Sequence, residues 1–177
     1  MKKGIFTVFA ISVIVIATFG FMPPSTENTP PGNTGSPADG KDCSSCHRGK
    51  VKSIDNIITS NGGNEYEAGK TYTITLNLKG DKQSKKYGFQ VSPQNEKGKQ
   101  LGKFVITNTK ETKLAGNGKY INQTAAGTIG SNGLKSWNFE WVAPAKGSGD
   151  AIIYGSFYVS GPQSIVYTSK LVLKEKK

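Results

Sequence analysis

Histidine occurs once in these 177 residues, cysteine twice and arginine once, as Arg48. These scarcities exclude whole classes of chemistry. A Ser-His-Asp triad has a single histidine to draw on. A structural zinc site lacks its fourth Cys or His ligand. The bidentate arginine contacts that read nucleic-acid bases are missing, and no recognition motif replaces them. No convincing amphipathic helix appears, and the acids Asp39, Asp42, Asp55, Glu65 and Glu67 are scattered through polar turns. Gly147-Ser148-Gly149 lacks the strand-loop-helix setting of a phosphate loop. An enzyme is therefore not expected.

What is rare is also concentrated. Both cysteines and the histidine fall within Cys43-Ser44-Ser45-Cys46-His47. C-x-x-C-H is the attachment pattern of a c-type haem, with two thiols for thioether bonds and an adjacent imidazole for iron. On this reading Cys43 and Cys46 bind one covalent haem c and His47 is the proximal iron ligand. A Cys43–Cys46 disulfide is the competing reading, and a redox-active dithiol is a third. With His47 used, only Met1 and Met22 remain as soft axial ligands, so the iron is expected to be five-coordinate or weakly ligated.

The chain opens with Lys2-Lys3 and an apolar run from Ile5 to Ala17. That layout is a secretory signal peptide, assigned to residues 1–22, with an uncleaved anchor as the alternative. Export to the periplasm, the cell surface or the exterior follows, with peripheral or no membrane association afterwards. Residues 23–42 are rich in Pro, Gly, Ser, Thr and Asn and read as a flexible linker. Residues 43–50 form the haem-attachment segment, with Asp42 as the N-cap of a short helical turn.

From residue 51 to 177 the pattern has period two. Tyr72, Ile74, Leu76 and Leu78 alternate with Thr73, Thr75 and Asn77, while Trp137, Phe139 and Trp141 alternate with Asn138 and Glu140. Further strands are expected at 87–91, 103–107, 151–159 and 165–173, separated by glycine-rich turns. Seven or so short strands make an antiparallel β-sandwich, in which the tryptophans are core residues. Asn122-Gln123-Thr124 matches a glycosylation acceptor.

Tyr66-Glu67-Ala68-Gly69-Lys70-Thr71, Gly88-Phe89-Gln90, Thr124-Ala125-Ala126-Gly127-Thr128, Trp137-x-Phe139-x-Trp141-x-Ala143-Pro144 and Ile165-Val166-Tyr167-Thr168-Ser169 together resemble the bacterial reelin-domain, or reeler-like, proteins of the choice-of-anchor group. The resemblance implies an exported protein with an immunoglobulin-like sandwich, often preceded by C-x-x-C-H. Relatives tend to carry a histidine where this chain has Gln123, and many carry a C-terminal anchoring segment.

The protein also carries a net charge of +11. Between Lys79 and Lys119, ten lysines face only Asp81, Glu96 and Glu111. Such a surface favours acidic redox proteins or anionic envelope components as partners and does not indicate nucleic acid. The expected function is a monohaem electron-transfer protein of the cell envelope, with the sandwich as docking scaffold. The alternative is a haem-free extracellular binding or adhesion module with a Cys43–Cys46 disulfide.

Overall fold

Alternation between apolar and polar residues decides the pairing of residues 71–79 with 134–142 in the structure, a computed structural model that describes residues 29–177. The signal-peptide assignment lies outside the described residues. The strands are β1 (Lys50–Ser53), β2 (Ile58–Ser60), β3 (Glu65–Tyr66), β4 (Thr71–Lys79), β5 (Tyr87–Gln94) and β6 (Lys103–Val105). They are followed by β7 (Thr112–Ala115), β8 (Tyr120–Gln123), β9 (Leu134–Val142), β10 (Ala151–Val159) and β11 (Ile165–Glu175). Two 3-10 turns, Cys43–Ser45 and Ala126–Thr128, complete the elements.

The fold is all-β, an immunoglobulin-like sandwich of two sheets. One sheet runs β1-β11-β10-β5-β8-β7, with β3 added beside β11, and the other runs β2-β4-β9-β6. The larger sheet is mixed, because β1 and β3 each pair with β11 in parallel. Every other strand pair is antiparallel, and of these β7–β8 and β10–β11 are hairpins closed by short glycine-containing turns. Ile74 pairs with Phe139, and Leu76 with Trp137. That register puts both apolar sets on one face, where they meet Phe89, Val91, Ile153 and Phe157 from the larger sheet.

Trp137 and Trp141 are both core residues, 1% and 0% exposed. Each indole N–H finds a carbonyl, Gly127 O at 2.9 Å and Leu101 O at 3.0 Å. A satisfied indole contributes its large apolar area without leaving an unpaired donor in the core. Gly102, at φ +75°, makes the second of these possible, since a Cβ there would lie 2.4 Å from Trp141 Nε1.

The outer face of the larger sheet is polar but is not left to water. Gln90, Ser92 and Gln94 alternate with Phe89 and Val91 along β5, and all three are fully buried. Residues 29–42, the described part of the Pro/Gly-rich segment, lie over them as an arm. The Asn33 backbone N–H donates to Gln90 Oε1 at 2.6 Å, and Gln90 Nε2 donates to Pro30 O at 2.9 Å. Asn122 Nδ2 donates to Thr29 O, and Tyr120 donates to Asp39. Within the arm, Gly35 donates to Lys41 O and Gly40 to Ser36 O.

Gln90 joins arm to sheet on both its amide atoms. Replacing it with leucine should leave the Asn33 N–H buried without an acceptor and cost about 1–3 kcal/mol. Faster amide exchange and earlier proteolysis within residues 29–42, ahead of the sandwich, are the expected signs in the Gln90→Leu variant.

Candidate functional site

Asp42 ends the arm and starts the turn that holds the rare residues. Its carboxylate accepts the Ser44 N–H at 2.7 Å, the role expected of an N-cap. The helical segment is shorter than a turn running to Lys50, because His47 N closes back on Cys43 O and the chain then enters β1. The Cys43 N–H donates to Ser156 Oγ on β10 at 2.9 Å, which pins the turn to the sheet. All three predicted residues therefore do converge, but in unequal environments. Both thiols are free: Cys43 is buried and Cys46 is exposed. Burial pushes the Cys43 thiol up to about 11, Ser156 opposes this, and the nearby Asp42 and Cys46 reinforce it. His47 is half-buried with its ring stacked on Tyr158, centroids 3.8 Å apart and planes 14° from parallel. Desolvation holds this imidazole below its ordinary value, so it is neutral at pH 7.

Beside the turn lies a cleft of about 240 Å³. Thr29, Pro30 and Asn33 of the arm form one wall, and Cys43, Cys46 and His47 form the other. Gly88 of β5 and Tyr158 of β10 line it from the sheet, with Lys86, Phe89 and Gln123. Gly88 matters here because it contributes no side chain: the nearest atoms to a Cβ there belong to the Gln123 side chain, no closer than 3.4 Å. Gln123 is itself 5% exposed and holds the Phe89 N–H at 2.7 Å through Oε1. Sequence reasoning marked Gln123 only as a departure from its relatives. Gly88 entered the sequence reading only within the Gly88-Phe89-Gln90 block, Tyr158 only as part of a strand and the arm only as a linker, because their place at the cleft depends on how the arm packs over β5 and β10.

A second opening, of about 750 Å³, lies between Ile54–Ile57, the end of β4 and Pro162-Gln163. It contains none of the predicted site residues. No helix of the described residues is long and apolar enough to cross a membrane.

The Reeler domain family model matches residues 43–164. The reelin-N domain of F-spondin is a similar solved structure, with TM-score 0.57 and 21% identity over 73% of this chain and 94% of that one. The human F-spondin reeler domain gives TM-score 0.53 at 19% identity, covering 73% and 96% of the two chains. No curated protein matches the chain.

These findings overturn the expected electron-transfer function and its covalent haem c. The family match takes in Cys43, Cys46 and His47 as part of a Reeler domain, and the similar structures are reeler domains. Among the described residues no three His, Cys, Asp or Glu side chains gather as a metal site. The physical reason for the misreading is local. One thiol is packed under the turn against β10, and the imidazole is already engaged on a tyrosine face. Iron and haem are withdrawn with the function. The competing disulfide is also not formed here, since both cysteines are free thiols.

Unequal thiols should react unequally, because the thiolate is the nucleophile. One equivalent of iodoacetamide is expected to label Cys46 alone in the folded protein, and Cys43 only after denaturation; peptide mapping reads this directly. A pH series gives a second check. Folding lowers the His47 value, so its contribution to stability is complete above about 6.5 and is lost as pH falls through the folded value. The melting temperature should therefore drop more between pH 7.5 and 5 than it does in the His47→Gln variant. Both outcomes concern one turn, but the match from residue 43 to residue 164 spans most of the sandwich, and on it the chain belongs to the Reeler domain family.

Proposed function

We propose that this protein is an exported, non-catalytic recognition module that takes a small ligand in the cleft between the arm and the Cys43–His47 turn. The cleft itself carries this reading. It is a concave, mostly apolar opening at which Cys46, His47 and Tyr158 meet, on a face that is otherwise closed by the arm. Sites of this kind hold small molecules by apolar contact and use a few polar groups for orientation. Cys43, Cys46 and His47 are then ligand-contacting residues rather than cofactor ligands. Membership in the Reeler family, the dibasic start with its apolar run, and the absence of a catalytic constellation in the sequence all support export and binding rather than turnover.

The lysine-rich stretch from Lys79 to Lys119 supports approach of an anionic component of the envelope. Lys86 belongs both to that stretch and to the cleft lining.

The test fills the cleft from inside. N-phenyl-1-naphthylamine, an uncharged dye that brightens in apolar surroundings, should bind the wild-type protein with one-to-one stoichiometry. Gly88→Leu adds a side chain at a position whose Cβ would come no closer than 3.4 Å to its nearest neighbour, Gln123, so it should abolish binding while the circular dichroism spectrum and melting temperature stay close to wild type. Undiminished dye binding in a folded Gly88→Leu protein would remove the cleft as the site.

A further inference from the structure

The polar groups around the cleft are not equally available. Gln90, Asn122 and the Asn33 backbone N–H are spent on joining arm to sheet. Gln123 Oε1 holds the Phe89 N–H, Thr128 Oγ1 donates to Ala125 O, and Ser160 Oγ accepts the Lys86 N–H. Asp42 is occupied as a cap. His47 is uncharged at neutral pH and offers its ring to Tyr158. Lys86 is different: it is exposed, lines the cleft, and forms no ion pair among the described residues. Lys85 beside it and Lys82 nearby add positive charge in the same segment.

We propose that the ligand is a small, flat, apolar acid, its rings against the apolar and aromatic lining and its carboxylate or sulfonate toward Lys86. This rests on the cleft being the ligand site, and it adds the ligand's chemical class. Two features favour a flat ring over an aliphatic chain. The stacked His47 and Tyr158 rings both line the cleft, and Gly88, opposite Tyr158 on β5, adds no side chain beside them. Aromatic faces prefer offset-stacked partners. An acid rather than a base is favoured because the free charge is an ammonium and the one carboxylate in the lining already accepts a backbone N–H.

A matched pair of probes separates the ring from the acid. 8-Anilinonaphthalene-1-sulfonate is N-phenyl-1-naphthylamine with one sulfonate added. At low salt the sulfonate should bind about threefold to fivefold more tightly than the neutral dye, the scale of an exposed charge pair. That preference should vanish in Lys86→Gln and shrink in 0.5 M sodium chloride, while the neutral dye is unaffected by either. Lys99→Gln, in the β5–β6 turn, should leave the preference intact.

The possible failures are distinct. Equal affinities for both dyes, or an equal loss in Lys99→Gln and Lys86→Gln, would overturn the acid while leaving the cleft. Failure of Gly88→Leu to block either dye would overturn both.

Discussion

Two buried amides govern the arrangement around the site. Gln90 and Asn122 stand side by side on β5 and β8, bonded to each other at 3.0 Å, on a face that the strands themselves do not cover. A primary amide shut away from water must find partners or cost the fold its desolvation. Here the partners are backbone groups of the arm: the Asn33 N–H, the Pro30 carbonyl and the Thr29 carbonyl. The arm therefore serves as the missing polar layer of the larger sheet. Its own composition, poor in apolar side chains, is no handicap, because the sheet asks it for N–H and C=O groups.

From that constraint the site follows. With Thr29–Asn33 fixed over β5 and β8, and Asp39 held by Tyr120, the chain must cross toward β10 before it can enter β1. The crossing is the Asp42-capped turn, fastened by the Cys43–Ser156 hydrogen bond. Thr29, Pro30 and Asn33 of the arm and Cys43, Cys46 and His47 of this turn line the same cleft. Gly88 keeps the cleft open from the sheet side, while the His47–Tyr158 stack stiffens one edge.

The sandwich was largely legible in the sequence. Thr71–Lys79 and Ala151–Val159 could be read residue for residue, the first because apolar and polar residues alternate through it, the second because it is a run rich in β-branched and aromatic residues bounded by glycine-containing turns. The Trp137-Phe139-Trp141 face pointed into the core as its spacing requires. Short strands were not legible: β1, β2, β3, β7 and β8 have two to four residues each, too few to show a period. The parallel pairings of β1 and β3 leave no local trace, since they join segments far apart in the chain. The arm was hidden for a related reason. Its contacts to the sheet are made largely through backbone atoms, which composition does not record, so Pro, Gly and Ser read only as a tether.

Both short motifs that suggested chemistry were answered by the same packing. Asn122-Gln123-Thr124 has the spelling of a glycosylation acceptor, yet Asn122 is 1% exposed and its amide nitrogen holds the Thr29 carbonyl. A glycan on that nitrogen requires the arm to leave. The C-x-x-C-H segment likewise has the spelling of a haem site, and its residues do form one unit. That unit is a capped turn with one thiol beneath it, one thiol outside it and an imidazole on a tyrosine. A motif specifies which atoms are close in sequence; burial and hydrogen bonding decide which of them remain available. In this protein the arm consumes the availability of Asn122 and, with β10, of Cys43. Cys46 and Lys86, which line the cleft, are left outside these contacts.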